Sequence, residues 1–307
     1  MMFFLAEAAE GAEHVPVLVK LVNDFLGEPA YRFEHKYTEP LWRAFFARFG
    51  TTPEAVFGVP YSPETAIPWY TVMFVVACIV TVAIIWIFKG RLSTEEPGHG
   101  QQTLELGVLA VRNMLSDVVG PHGLKYFPVV MTFAVLILVS NVLGFFPLFM
   151  TPTAATSVTF ALGLSSFVYY NYIGISENGL FGHLKHFAGP IWWIAPLIFV
   201  IELISNFIRP MSLGIRLFGN MFADEKIGET VANLAPPYTQ FIVPVLLMPL
   251  GLFVALVQTF VFVLLSMVYL SEVSHPPHGQ HGDHSDHGPG DEAEDQDGMQ
   301  IIAAVLT

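Results

Sequence analysis

Glu202, Ser205, Asn206, Arg209, Ser212, Arg216, Asn220 and Asp224 recur at steps of three or four residues through a stretch otherwise rich in Leu, Ile, Phe and Met. On a helix, residues at that spacing share one face. An Arg at mid-bilayer depth costs about 2.5–3.5 kcal/mol on insertion scales. A lipid-facing position returns nothing for that cost, so this face must meet water, protein or a charged partner. The chemistry it suits is ion handling inside a membrane. Snorkelling to a membrane surface is open to Arg209, which fits either depth. It is harder for Arg216, which lies 22 residues after Ile194 and eight before Asp224.

Other chemistries find no residues to carry them. No Gly-rich loop ends in Lys-Ser or Lys-Thr to cradle phosphates, and no His-Glu-x-x-His helix is present. His183 and His186 read as loop residues rather than metal ligands. In the tail, His275, His278, His281, His284 and His287 recur every third residue among Gly, Asp and Pro. Such a tract can bind metal. The simpler reading is a solvated, disordered tail, because this composition cannot bury a core. Cys78, the single cysteine, has no internal partner for a disulfide. No cofactor or metal is expected.

The elements that must position the polar line are membrane spans. Of 307 residues, 53% are hydrophobic and only 13% charged, against about 25% charged in soluble domains. The apolar residues are clumped into runs near the 20 residues that a span needs. The net charge of −13 is concentrated towards the ends of the chain. It offers no basic patch for nucleic acid.

Five spans are expected, at about 69–88, 127–149, 157–175, 194–222 and 241–270. The second is interrupted by Asn141 and Gly144. Lys89 and Arg91 close the first span, whereas residues 49–68 hold no Lys or Arg. The positive-inside rule then puts the amino terminus outside and, after five spans, the carboxyl terminus inside. Between the first two spans, Leu104, Val108, Val111, Leu115 and Val118 form one apolar stripe with Glu105, Arg112 and Asp117 off it. That pattern predicts an interfacial amphipathic helix over 103–119. The last two apolar segments run 29 and 30 residues, roughly 43–45 Å as helices. The hydrocarbon core is about 30 Å thick. A strongly tilted hairpin is therefore expected, with Pro196, Pro210, Pro244 and Pro249 able to bend it. Its turn, holding Asp224, Glu225, Lys226 and Glu229, should face outside.

Residues 1–66 read as an extramembrane region with short amphipathic helices around Leu18–Phe25 and Trp42–Phe49, residues 67–272 as the membrane domain, and 273–307 as the His-rich acidic tail. The fold class expected is an all-α membrane protein.

The run Arg209-Pro210-Met211-Ser212-Leu213-Gly214-Ile215-Arg216-Leu217-Phe218-Gly219-Asn220-Met221 resembles the signature of the ATP synthase subunit a family. Glu202 and Ser205 fit that family's upstream polar positions. Gln258 in Val257-Gln258-Thr259-Phe260 fits its glutamine on the fifth span. Val268-Tyr269-Leu270 and Asn141 to Pro147 are also similar to it. The likeness covers roughly residues 68–272.

The resemblance implies a noncatalytic stator subunit of a rotary F-type ATP synthase in a bacterial inner membrane. Its partners would be the subunit c ring, the peripheral stalk subunit b, the remaining ATP synthase subunits and the lipid bilayer. Arg216 matches the family's essential arginine, which deprotonates each ring carboxylate as it passes. Asn220, Asp224, Glu225, Gly251 and Gln258 would line a proton path to the outside. Glu202, Ser205 and Ser212 would line one to the inside. One departure stands out. Many relatives carry Gly before the acid matching Glu225 and His on the next helix. Here the corresponding pair is Asp224 and Gly251, so the Asp224 side chain is expected to fill the space over Gly251. The competing reading makes Asp224 a solvated turn acid.

A stand-alone ion transporter is the alternative, since an intramembrane Arg with nearby acids suits that class too. Transporters usually carry internal repeats, and none is found here. A purely structural membrane anchor is the third reading.

Overall fold

The computed structural model describes residues 16–48, 50–51, 66–90, 93, 97–146, 149–188, 193–232 and 238–274. Among them the chain is helical, with no strand. Two short helices come first, α1 (Val17–Phe33) and α2 (Glu39–Ala47), joined by a π-helical turn at Glu34–Thr38. Then follow α3 (Trp69–Lys89), α4 (His99–Val119), α5 (Phe127–Leu143), α6 (Thr156–Ala188), α7 (Ala195–Ala232) and α8 (Tyr238–Ser274). Among the described residues, five stretches are long and apolar enough to cross a membrane: Trp69–Lys89, Pro121–Leu143, Thr156–Gly179, Ala195–Gly228 and Val245–Ser274. The chain is thus an all-α, multi-pass membrane protein. The tail beyond Ser274, with its five histidines, lies outside the described residues.

The helices assemble into two compact units. The first draws on Met1–Val80, Leu138–Ala161 and Ile215–Ala255. The second draws on Thr81–Ile137, Leu162–Gly214 and Leu256–Thr307. The polar line of α7 is shared out accordingly. Glu202 to Ser212 belong to the second unit, and Arg216 to Asp224 to the first.

In the second unit the amphipathic helix expected over 103–119 is α4. Val108, Leu115 and Val119 of α4 are buried with Phe127 and Val130 of α5, Tyr170 and Ile173 of α6, and Val263, Met267, Leu270 and Val273 of α8. Its apolar stripe is therefore covered by protein. Gly100 lets the first turn of α4 meet the end of α3, because a Cβ there would stand 2.9 Å from the Phe88 carbonyl oxygen. Gly120 ends α4 at φ 92°, a conformation that side chains resist.

Pro210 sits inside α7. Without an N–H it cannot donate to the carbonyl four residues back, which belongs to Asn206. A bare carbonyl costs several kcal/mol in a lipid environment. Tyr170 of α6 supplies the missing donor: its hydroxyl donates to the Asn206 carbonyl at 3.2 Å and to Asn206 Oδ1 at 2.5 Å. Helix α7 runs on through the proline.

In the first unit, Val19 of α1 packs with Val72 and Met73 of α3. Asn23, buried, fixes α1 to the foot of α3. Its amide donates to the Ile67 carbonyl at 3.1 Å and accepts from the Ile67 N–H at 3.0 Å.

Two expectations need correction. The acidic segment Asp224–Glu229 is not a turn but the last part of α7, which continues to Ala232. Glu and Lys are good helix formers, and the nearest strong breakers are Pro236 and Pro237. The segment after the third span, expected as a loop around His183 and His186, is helical to Ala188. The break comes earlier, at Gly179 with φ 70°.

Candidate functional site

In the first unit Arg216 is exposed on α7. Among the described residues its guanidinium has no hydrogen-bond or ion-pair partner. The neighbours that anchor this stretch are Leu217 and Met221, both buried. They fix the helix while the arginine stands clear of the core.

Two turns beyond Arg216, Asp224 reaches α8. A Cβ built on Gly251 would lie 2.6 Å from Asp224 Oδ2 and 2.8 Å from Cε1 of the Phe145 ring. The carboxylate thus occupies the space that a side chain at 251 would take. Asp224 and Glu225 line a cavity of about 380 Å³ together with Asn141, Gly144, Thr151 and Met248. Asn220 is exposed and does not line that cavity.

In the sequence Asn141 stood out as a break in the second span and as the start of a family-like run. In the structure it is a buried hub. It accepts a hydrogen bond from the Thr153 hydroxyl at 2.7 Å and donates to the Ala255 carbonyl at 3.5 Å. It thereby ties α5, the Pro152–Ala154 turn and α8 around the cavity.

In the second unit, Glu202 and Arg209 are brought together, and a residue that sequence reasoning missed joins them. Glu272 of α8 receives both ends of the Arg209 guanidinium, Nη1 to Oε2 at 2.5 Å and Nη2 to Oε1 at 2.9 Å. Nη2 also donates to Glu202 Oε1 at 3.1 Å. The Tyr269 ring centroid lies 5.3 Å from the guanidinium carbon, within cation–π range. The signal for Glu272 was its position as a lone carboxylate at the end of an apolar run, but which cation it meets is a tertiary fact. Ser205 is half-buried and Ser212 exposed, while Gln258 is almost fully buried on α8. Asn206 Nδ2 donates to Asn171 Oδ1 at 3.3 Å, extending the Tyr170 network.

The family model described as ATP synthase A chain matches residues 70–271. The chain belongs to the ATP synthase subunit a family. It is 41% identical over 194 residues to ATP synthase subunit a 2 of Syntrophotalea carbinolica, covering 62% of this chain and 81% of the relative. To ATP synthase subunit a of Trichlorobacter lovleyi it is 40% identical over 199 residues, 65% of this chain and 84% of that one. The subunit a of Geobacter sulfurreducens is 39% identical over 192 residues, 62% and 82% of the two chains. The family match begins just after the start of α3 and ends in the last turn of α8, so α1, α2 and the tail lie outside it. Family membership makes the chain a membrane component of the ATP synthase complex.

No group of three His, Cys, Asp or Glu residues is arranged to hold a metal among the described residues. The first unit offers an exposed guanidinium and, separately, carboxylates beside a cavity; the second offers a guanidinium held by two carboxylates.

Proposed function

We propose that this chain is the noncatalytic stator through which protons reach and leave a rotating ring of subunit c. The observation that carries the reading is Arg216, a guanidinium on a membrane-spanning helix with no partner among the described residues. Such a group is costly to keep unless an anion comes to it from another chain.

A ring carboxylate has to be protonated to turn through lipid, because a bare charge there is prohibitive. Opposite Arg216 its ionised form is favoured instead. At about 4 Å and an effective dielectric near 20 the pair gains roughly 4 kcal/mol. That amounts to about three pKa units. Arg suits the role better than Lys because it does not lose its proton when desolvated. Arg216 thus drives the proton off each arriving carboxylate and bars a direct leak past it.

Asn220, Asp224, Glu225, Gly251 and Gln258 serve the path from the outside, and Glu202, Ser205 and Ser212 the path to the inside. The membrane potential contributes about 2.3 kcal/mol per charge per 100 mV. Access from opposite sides turns that energy into rotation. The chain lies in a bacterial inner membrane with its amino terminus outside. Residues 67–272 form the membrane domain, against the c ring and the peripheral stalk subunit b. Residues 1–66 are extramembrane and 273–307 a cytoplasmic tail.

The test is Arg216→Ala and Arg216→Lys in the assembled complex, read as ATP-driven acidification of inverted membrane vesicles. Both should abolish coupled pumping while the complex still assembles. Pumping at the parental rate in Arg216→Ala overturns the reading and leaves a structural anchor.

A further inference from the structure

The two arginines of the α7 stripe are treated in opposite ways. Arg216 is exposed and lacks a partner among the described residues. The Arg209 side chain is 21% exposed and is gripped by two carboxylates, Glu202 on its own helix and Glu272 on α8. Arg209 and Arg216 lie seven residues apart on α7, which on a helix is roughly 10 Å. A bare cation at that distance, at an effective dielectric near 20, would hold a passing anion roughly tenfold more firmly. It would compete with Arg216 for the same carboxylate.

Glu202 alone cannot prevent this. On the reading proposed above, Glu202 lies on the path to the inside and takes up protons before they pass to water. Whenever it carries a proton, it stops neutralising Arg209. Glu272 has the better geometry, two parallel contacts against one, and is not among the residues assigned to that path above. We infer that Glu272 is a positioning residue that draws Arg209 onto α8 and keeps its charge cancelled, so that Glu202 can be protonated without baring a second cation beside Arg216. One guanidinium and two carboxylates carry a net charge of −1, or zero when Glu202 holds a proton. The group never becomes positive. Without Glu272 it would alternate between zero and +1. The inference rests on the proposed role of the stripe in proton transfer.

Charge cancellation differs from simple bracing in one respect. Removing Glu272 and Arg209 together leaves Glu202 alone, which restores the parental alternation between −1 and zero. Glu272→Gln should lower ATP-driven proton pumping in membrane vesicles about three- to fivefold, the worth of one partly exposed ion pair. The double variant R209Q/E272Q should return to within about twofold of the parent, since it lacks the pair altogether. Parental pumping in Glu272→Gln overturns the inference. So does a double variant as slow as the single one, which is what bracing predicts. Should Glu272→Gln fail to assemble, the double variant decides: recovered assembly supports charge cancellation, and continued failure overturns it. Arg216→Ala, run in parallel, keeps the two claims apart, because pumping that survives it removes the stripe's role whatever Glu272 does.

Discussion

The Asp224 carboxylate stands where the side chain of residue 251 would be, with Oδ2 2.6 Å from the Cβ position of Gly251. Carboxylate and glycine are complementary in volume. An enlarged residue 251 also meets the Phe145 ring at 2.8 Å. Gly251→Ala should therefore cost about 1–3 kcal/mol, as overpacking does. Asp224→Gly in the same chain should recover part of that, the remainder being the clash with Phe145. The thermal stability of the detergent-extracted complex measures both. If Asp224→Gly adds its own loss instead of relieving the first, the two side chains do not share one space.

Gly163 of α6 lies against backbone rather than side chain. A Cβ there would stand 2.6 Å from the Pro210 carbonyl oxygen and 3.5 Å from the Gly214 nitrogen. Small residues let membrane helices approach this closely. A backbone carbonyl cannot swing aside as a side chain can, so Gly163→Ala should push α6 from α7 and cost about 1–3 kcal/mol. The expected result is less assembled complex in the membrane. Gly107→Ala serves as the control, because nothing lies within 4 Å of its Cβ position. Equal yields from the two variants would show that the approach is not needed.

Burial pushes the Glu34 carboxyl above its ordinary value of 4.5, and its Oε2 finds no hydrogen bond among the described residues. Folding thus favours the protonated acid. That contribution is full below the unfolded pKa and is lost as pH rises through the higher folded one. Hydrogen exchange across α1 and α2, corrected for intrinsic rates, should show greater protection as pH falls through the region just above 4.5. Glu34→Gln should flatten that dependence. Parallel profiles for the two chains would remove Glu34 as its source.

The number of spans and the line of polar residues were legible because both depend on local pattern. Apolar runs name their own length, and a step of three or four residues names its own face. Asn141 and Gly144 were read as an interruption within a span reaching 149, whereas the helix itself stops at Leu143. The two misread segments failed at the same kind of place. Polar residues after an apolar run looked like a loop around His183 and at Asp224–Glu229, yet Glu and Lys prolong a helix as readily as they stand in a turn. The pairing of Arg209 with Glu272 was hidden for a different reason. The residues lie 63 positions apart on different helices, and no spacing rule connects them. Gly251, by contrast, was readable beside Asp224 because the resemblance placed a complementary pair at those two positions.

The hydroxyl that Tyr170 lends to Asn206 substitutes for an amide that Pro210 took away. Positions 170 and 210 are consequently one trait written in two helices. Phenylalanine at 170 takes a donor from the buried Asn206 Oδ1 whatever stands at 210, but it strands the Asn206 backbone carbonyl only while proline occupies 210, since any other residue there brings its own N–H. A sequence in which one of the pair has drifted should show the other drifting with it.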